Sequence, residues 1–298
     1  MRLRQIEVFH AIYTTGSMTN AAAMLNVSQP SISKVLAHAE QQLGYRLFDR
    51  VKGKLIPTPE AHQLFVHVKA VNKDVDRLRH VASNIKDAGA GRIRVAGTPA
   101  FGLEVLPKAV ASFQREHPGT VFEIETLHLD EITTALRESR TDIGLAFDPT
   151  ESPGIGQQQL ASGHFVVLAP QKEKFGGKTE LTVDDLTGFP FIALNSRGPL
   201  GQALSDYLAR RGADLDVVAW SETYHVAREL VAQGIGVTIA DEITARSGAT
   251  SNVRRITLRP TLRFSVKALH LDSMPLSIGA RSFTKHLGTV VKQFLADG

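Results

Sequence analysis

Residues 26–36 read NVSQPSISKVL, and Ser28, Gln29, Pro30, Ser31, Ser33 and Lys34 put one kind of chemistry into that short stretch. Three hydroxyls and a carboxamide can donate and accept hydrogen bonds, and one ammonium can meet a phosphate. Their small size lets a backbone come close to base edges, which suits entry into a DNA groove. A helix face that needed only solubility would more often carry Glu and Lys. A second group, Arg50, Lys52 and Lys54, surrounds a Lys52-Gly53 turn and can touch phosphate or the minor groove. Taken alone, the two lysines fit a solvated turn equally well.

A different chemistry gathers where strand-like runs end. Thr98, Pro99 and Ala100 follow RIRVAG, Asn195 and Ser196 follow FPFIAL, and Thr223 and Tyr224 follow VVAWSE. Ligands of open α/β sheets sit beyond the carboxyl ends of the strands, where helix N-termini favour anions. Two facing helix starts with hydroxyls would suit a small carboxylate. Phe147 and Asp148, at the end of DIGLAF, would supply a wall and an amine partner, so an amino acid would fit. For each hydroxyl, capping its own helix is an equal alternative.

The elements that must position the first group are helices. Ser28 can cap a helix, and Pro30 falls in its first turn, where the missing N–H has no intrahelical partner anyway. Ile32, Val35, Leu36, Ala39 and Leu43 form an apolar stripe. Pro30, Lys34, Ala37 and Gln41 face away from it, with Ser31, Ser33 and His38 on the flanks. Upstream, Leu3, Ile6, Phe9, Ile12 and Tyr13 keep helical spacing until Gly16. Ser17 can then cap a second helix with Met18, Ala21, Ala22 and Leu25 turned inward. Two short helices, a tight turn and a third helix make a helix-turn-helix, and YRLFDRVKGKLIPT adds a hairpin as its wing.

Thr58-Pro59-Glu60 starts a long helix. Ala61, Leu64, Val68, Val71, Val75, Leu78, Ala82 and Ile85 recur in steps of three and four, an a/d seam. At 1.5 Å per residue it would run about 40–45 Å. Such a seam requires a partner helix, and packing on the chain's own body is the alternative. His62, His67 and His80 do not stack on one face, so no metal is expected there. DAGAG at 87–91 reads as a hinge. From Arg92 strands alternate with helices, the pattern of a mostly parallel α/β body.

Composition narrows the function. Residues 1–88 hold 12 Lys/Arg against 7 Asp/Glu, and the remainder holds 22 against 23. A basic head on a neutral body points to a polyanion partner for the head alone. There are no cysteines, which excludes disulfides and thiolate metal sites. The first 30 residues lack the apolar core of a secretory signal, and no run of 18 apolar residues occurs, so no membrane partner and a cytoplasmic location are expected. GxSxG, Walker A, HExxH and GxGxxG motifs are all missing, which argues against an enzyme and against a cofactor.

The run GSMTNAAAMLNVSQPSISKVLAHAEQQLGYRLFDR, residues 16–50, closely resembles the winged helix-turn-helix of LysR-type transcriptional regulators through the pattern AA…L…VSQP.IS…..E..LG..LF.R. The resemblance implies an N-terminal winged helix-turn-helix at 1–58, a linker and dimerisation helix at 59–88, and an α/β effector-binding body at 92–298. That body would be like periplasmic solute-binding proteins, with subdomain I at 92–162 and 268–298 and subdomain II at 163–267. It further implies a sequence-specific regulator that binds double-stranded DNA under control of a small-molecule effector. The chain would be a homodimer through the linker helix, assembling to a homotetramer. The short wing followed by LIPTPEA resembles the subgroup controlling opine and amino-acid catabolism, and so points to an amino acid or related carboxylate. A periplasmic binding protein would lack the basic head. An orphan, ligand-independent regulator would be favoured if Thr98, Asn195 and Thr223 lined no cavity.

Overall fold

The head begins with α1 (Leu3–Thr15), α2 (Met18–Met24) and α3 (Gln29–Leu43). The computed structural model describes residues 1–51, 54–86, 91–173, 175, 177–195, 197–212, 214–248 and 252–296, without the side chains of 51, 54, 73, 76, 77 and 79–86. The chain divides into two units, Met1–Ser83 and Asn84–Gly298. α1 stops at Gly16, whose φ of 64° is left-handed and costs a glycine little. The Ser17 hydroxyl then accepts from the Asn20 amide and starts α2. Val8, Phe9, Ile12, Ala21, Ala22, Ile32 and Leu36 make the core, and the two alanines let helix backbones approach closely. β1 (Phe48–Val51) and β2 (Lys54–Pro57) pair antiparallel as the wing. Glu40 on α3 ties the wing down by accepting from the amides of Leu47 at 2.7 Å and Phe48 at 3.2 Å.

α4 (Pro59–Lys86) starts with the Thr58 hydroxyl accepting from Ala61 N. Its seam divides between two tasks. Ala61, Leu64, Phe65 and Val68 pack into the head's own core. Further along, Val71 and Leu78 are exposed, Leu78 by 69%. Ala82 and Ile85 belong to the side chains not described, and the DAGAG linker, apart from Gly91, lies outside the described residues.

The body runs β3 (Arg92–Gly97), α5 (Pro99–Gly102), α6 (Val105–Glu116), β4 (Val121–Thr126), α7 (Leu129–Arg137), β5 (Ile143–Phe147) and β6 (Ile155–Pro170). Then come β7 (Glu180–Leu181), a 3-10 turn at Asp184–Leu186, β8 (Pro190–Leu194), α8 (Gly198–Ala209), β9 (Asp216–Ser221) and α9 (Tyr224–Ala232). β10 (Thr238–Asp241), α10 (Glu242–Arg246), β11 (Val253–Leu258), β12 (Arg263–Leu271) and α11 (Ile278–Ala296) close the chain. The large sheet has the order β4-β3-β5-β12-β6-β11-β7, with β10 also on β6, and β8-β9 forms a separate pair. β3 pairs parallel with β4 and β5, whereas β6 and β12 run antiparallel to each other and to their other neighbours. The middle of the body is therefore antiparallel, where strand-helix alternation predicts parallel strands.

β6 joins two halves. Its first part, to His164, pairs with β12, and its second part, from Phe165, pairs with β10 and β11. The chain returns at residues 259–262, because β12 pairs with β6 from Arg263 onward. That passage lies upstream of the expected 267/268 position. A continuous apolar core links the halves, including the fully buried Phe101, Phe165, Phe191 and Phe283, each worth about 1.5–3 kcal/mol on burial. No helix among the described residues is long and apolar enough to cross a membrane.

Candidate functional site

α3 carries the first set of candidates. Ser28 holds the N-cap position, and its hydroxyl makes no capping bond. Ser28, Gln29, Pro30, Ser31 and Lys34 are exposed and Ser33 is half-buried. The apolar stripe of Ile32, Leu36 and Ala39 turns inward, so it is the packing that presents the polar set to solvent. Arg50 is exposed on β1. Lys34 and Arg50 have no ion-pair partner among the described residues, which leaves both charges available to phosphate. Lys52 lies outside the described residues, and Lys54 is described only in its backbone at the start of β2.

The body holds a cavity of about 590 Å³ between its halves. That volume lies within the usual range for small-molecule sites. Thr98, Pro99, Ala100, Phe147, Thr223 and Tyr224 line it together. The Phe147 ring stacks on Phe101 at 4.4 Å and meets Phe264 edge-on, which fixes it as a wall. Thr98 and Thr223 sit at the N-caps of α5 and α9, and neither side chain caps its helix. The Thr98 Oγ1 and Tyr224 OH atoms are buried without a hydrogen-bond partner among the described residues. Burial and the nearby charge of Asp241 push the Tyr224 phenol well above its usual pKa, so it stays an O–H donor.

Two expected residues stand elsewhere. Asp148 is not part of the lining: its Oδ1 accepts from Ser265 N at 2.8 Å and its own N–H donates to Ser265 O. The carboxylate thus serves the β5–β12 edge. Asn195 is exposed and also outside the lining, because its backbone continues the β8–β9 pair through a bond to Ser221 O. Ser196 lies outside the described residues.

Sequence reasoning missed the charged groups of the cavity. Arg197, just before α8, donates to Glu222 at 3.0 Å and approaches Asp130 of α7 at 3.8 Å. His128 Nε2 lies 3.8 Å from Glu222, so these four side chains join one half to the other. Arg137 donates to the Ser152 hydroxyl at 2.8 Å. All six residues line the cavity. A signal existed in the sequence: the starts of α7 and α8, like that of α9, follow strands, and helix starts there attract ligand groups.

A basic head that displays a polar recognition helix, and a body that encloses a ligand-sized cavity, define a DNA-binding transcriptional regulator with an effector-binding domain. The comparisons agree over the whole chain. Residues 3–62 match the bacterial regulatory helix-turn-helix protein, lysR family, and residues 86–292 match the LysR substrate binding domain. The HTH-type transcriptional regulator DgcR of Pseudoalteromonas is 42% identical over 291 residues, covering 98% of this chain and 100% of that one. The octopine catabolism/uptake operon regulatory protein OccR of Rhizobium meliloti is 29% identical, covering 100% of this chain and 95% of that one. Full-length CbnR complexed with its target DNA has the same fold, with a TM-score of 0.68 at 20% identity, over 97% of this chain and 100% of that one. This chain belongs to the LysR family of transcriptional regulators.

Proposed function

We propose that the cavity binds a small amino acid or related carboxylate, and that its occupancy sets how the head engages DNA. The observation that carries this reading is that Thr98 and Tyr224, whose hydroxyls are buried and have no hydrogen-bond partner among the described residues, both belong to the cavity lining. A buried polar group without a partner costs about 1–3 kcal/mol, and a side-chain rotation that turns it onto a ligand oxygen would remove the cost. The ligand carboxylate accepts from the Thr98 hydroxyl at the start of α5 and the Tyr224 hydroxyl at the start of α9. Its ammonium faces Asp130 and Glu222, which otherwise share Arg197. The OccR relative, a regulatory protein of an octopine catabolism/uptake operon, supports a ligand of this kind.

On the DNA side, Ser28, Gln29, Pro30, Ser31, Ser33 and Lys34 face base edges and nearby phosphates, and Arg50, Lys52 and Lys54 anchor the wing. Residues 1–58 form the reading head, 59–88 the linker helix and 92–298 the body. The body divides into 92–164 with 263–298, and 165–262. Two chains pair through the exposed Val71–Leu78 part of the linker helix, and two such dimers form a homotetramer in the cytoplasm. A ligand that binds the two arrangements of this assembly unequally shifts their balance, and with it transcription.

The test is a thermal-shift screen of the full chain against amino acids, opines, guanidino compounds and aromatic carboxylates. A ligand at 100 times its Kd stabilises by about 2.7 kcal/mol. A hit that Thr98→Val abolishes supports the proposal. Hits that survive Thr98→Val and Tyr224→Phe, or silence across the panel, contradict it.

A further inference from the structure

We infer that His38 is a DNA-contacting residue, a neutral imidazole whose Nε2–H donates to a phosphate oxygen at the edge of the groove read by Lys34. Gln5 is buried on α1, and its Oε1 accepts from the Arg2 amide at 2.6 Å. A flipped carboxamide would set its NH2 against that N–H, so the orientation is fixed. Gln5 Nε2 therefore points to α3 with two hydrogens. One goes to Gln42 Oε1 at 2.9 Å and the other to His38 Nδ1 at 3.0 Å.

A ring nitrogen that accepts carries no hydrogen. His38 is thus the neutral tautomer with its proton on Nε2. Its side chain is exposed on α3, four residues after Lys34. That spacing puts the two on one face, about 6 Å apart along the axis. The N-terminal residues of a recognition helix meet base edges, and residues a turn further on leave the groove beside the backbone. There an N–H in a fixed direction meets phosphate oxygens.

The inference rests on α3 entering DNA with the Lys34 face, and the experiment separates the two. Full-length protein is titrated by fluorescence anisotropy onto a duplex it has itself selected from a random pool, and onto an unrelated duplex. His38→Ala should weaken both roughly ten-fold. The slope of log K against log salt should stay unchanged, because a neutral donor releases no counterion. Single methylphosphonate substitutions should reveal one phosphate whose neutralisation weakens the native protein and leaves His38→Ala unaffected. A residue that only steadied α3 would keep that sensitivity. Unchanged affinity in His38→Ala alongside a loss in Lys34→Ala overturns the inference alone. Unchanged affinity in both overturns the assigned face as well. A salt slope that falls by about 0.9 would mean a cationic imidazole and would also overturn it.

Discussion

Tyr224→Phe isolates the proposed effector contact, because it removes one oxygen and leaves a ring buried as before. That oxygen has no hydrogen-bond partner among the described residues, and its environment disfavours ionisation through burial and the Asp241 charge. An unpaired buried hydroxyl costs about 1–3 kcal/mol. The substitution should therefore stabilise the ligand-free chain, with Tm rising about 2–4 °C for each kcal/mol regained in a domain of this size. With effector present the sign reverses. Losing a hydrogen bond to a carboxylate costs about 1.5–3 kcal/mol, so Kd should rise by roughly ten-fold or more. Differential scanning fluorimetry reads the first effect and isothermal titration the second. A structural role for the hydroxyl would lower both stability and affinity. A fall in ligand-free Tm, or an unchanged Kd, would refute the reasoning.

Four further substitutions test other parts of the molecule. Arg50→Ala should weaken binding to every duplex and reduce the salt slope by about 0.9, whereas Lys34→Ala should chiefly erode the preference for the selected duplex; anisotropy titrations at several salt concentrations separate them. Asp241 is buried at the cap of α10, and burial pushes its carboxyl up to about 6 from 3.8 against the bonds from Thr244. Between those values the folded chain holds a proton that the unfolded chain releases, so stability should fall by up to ~3 kcal/mol as pH rises through that window. Asp241→Asn should flatten that dependence in urea titrations between pH 4 and 7. Leu78→Glu places a charge on the exposed part of the linker helix and should dissociate the chain to monomers by sedimentation velocity; a sedimentation coefficient equal to that of the native chain would refute the helix pairing.

The head was legible residue by residue because its signals are local. Gly16, Ser17, Pro30 and the stripe from Ile32 to Leu43 each specify a turn, a cap or a face within a few residues. The linker seam was legible in its spacing but not in its use, since spacing does not say that Ala61 and Val68 belong to the head's core. The body was less legible because pairing partners there are far apart in sequence. The first half of β6 is polar and exposed in places, and only its pairing with β12 makes it a strand. Asp148 illustrates the same limit for the site: a carboxylate at a strand end looks like a ligand partner until a backbone amide 117 residues away takes it. The ion-paired Arg197, Glu222, His128 and Asp130 come together only through the fold, from segments no local pattern connects.

The most direct test of effector control is a DNase I footprint of the full-length protein on its selected duplex, without effector and at saturating effector. The predicted result is a change in the extent or spacing of protection with the effector, lost in Thr98→Val. An identical footprint at saturating effector, with the ligand shown bound in the cavity, would contradict the coupling of cavity to DNA.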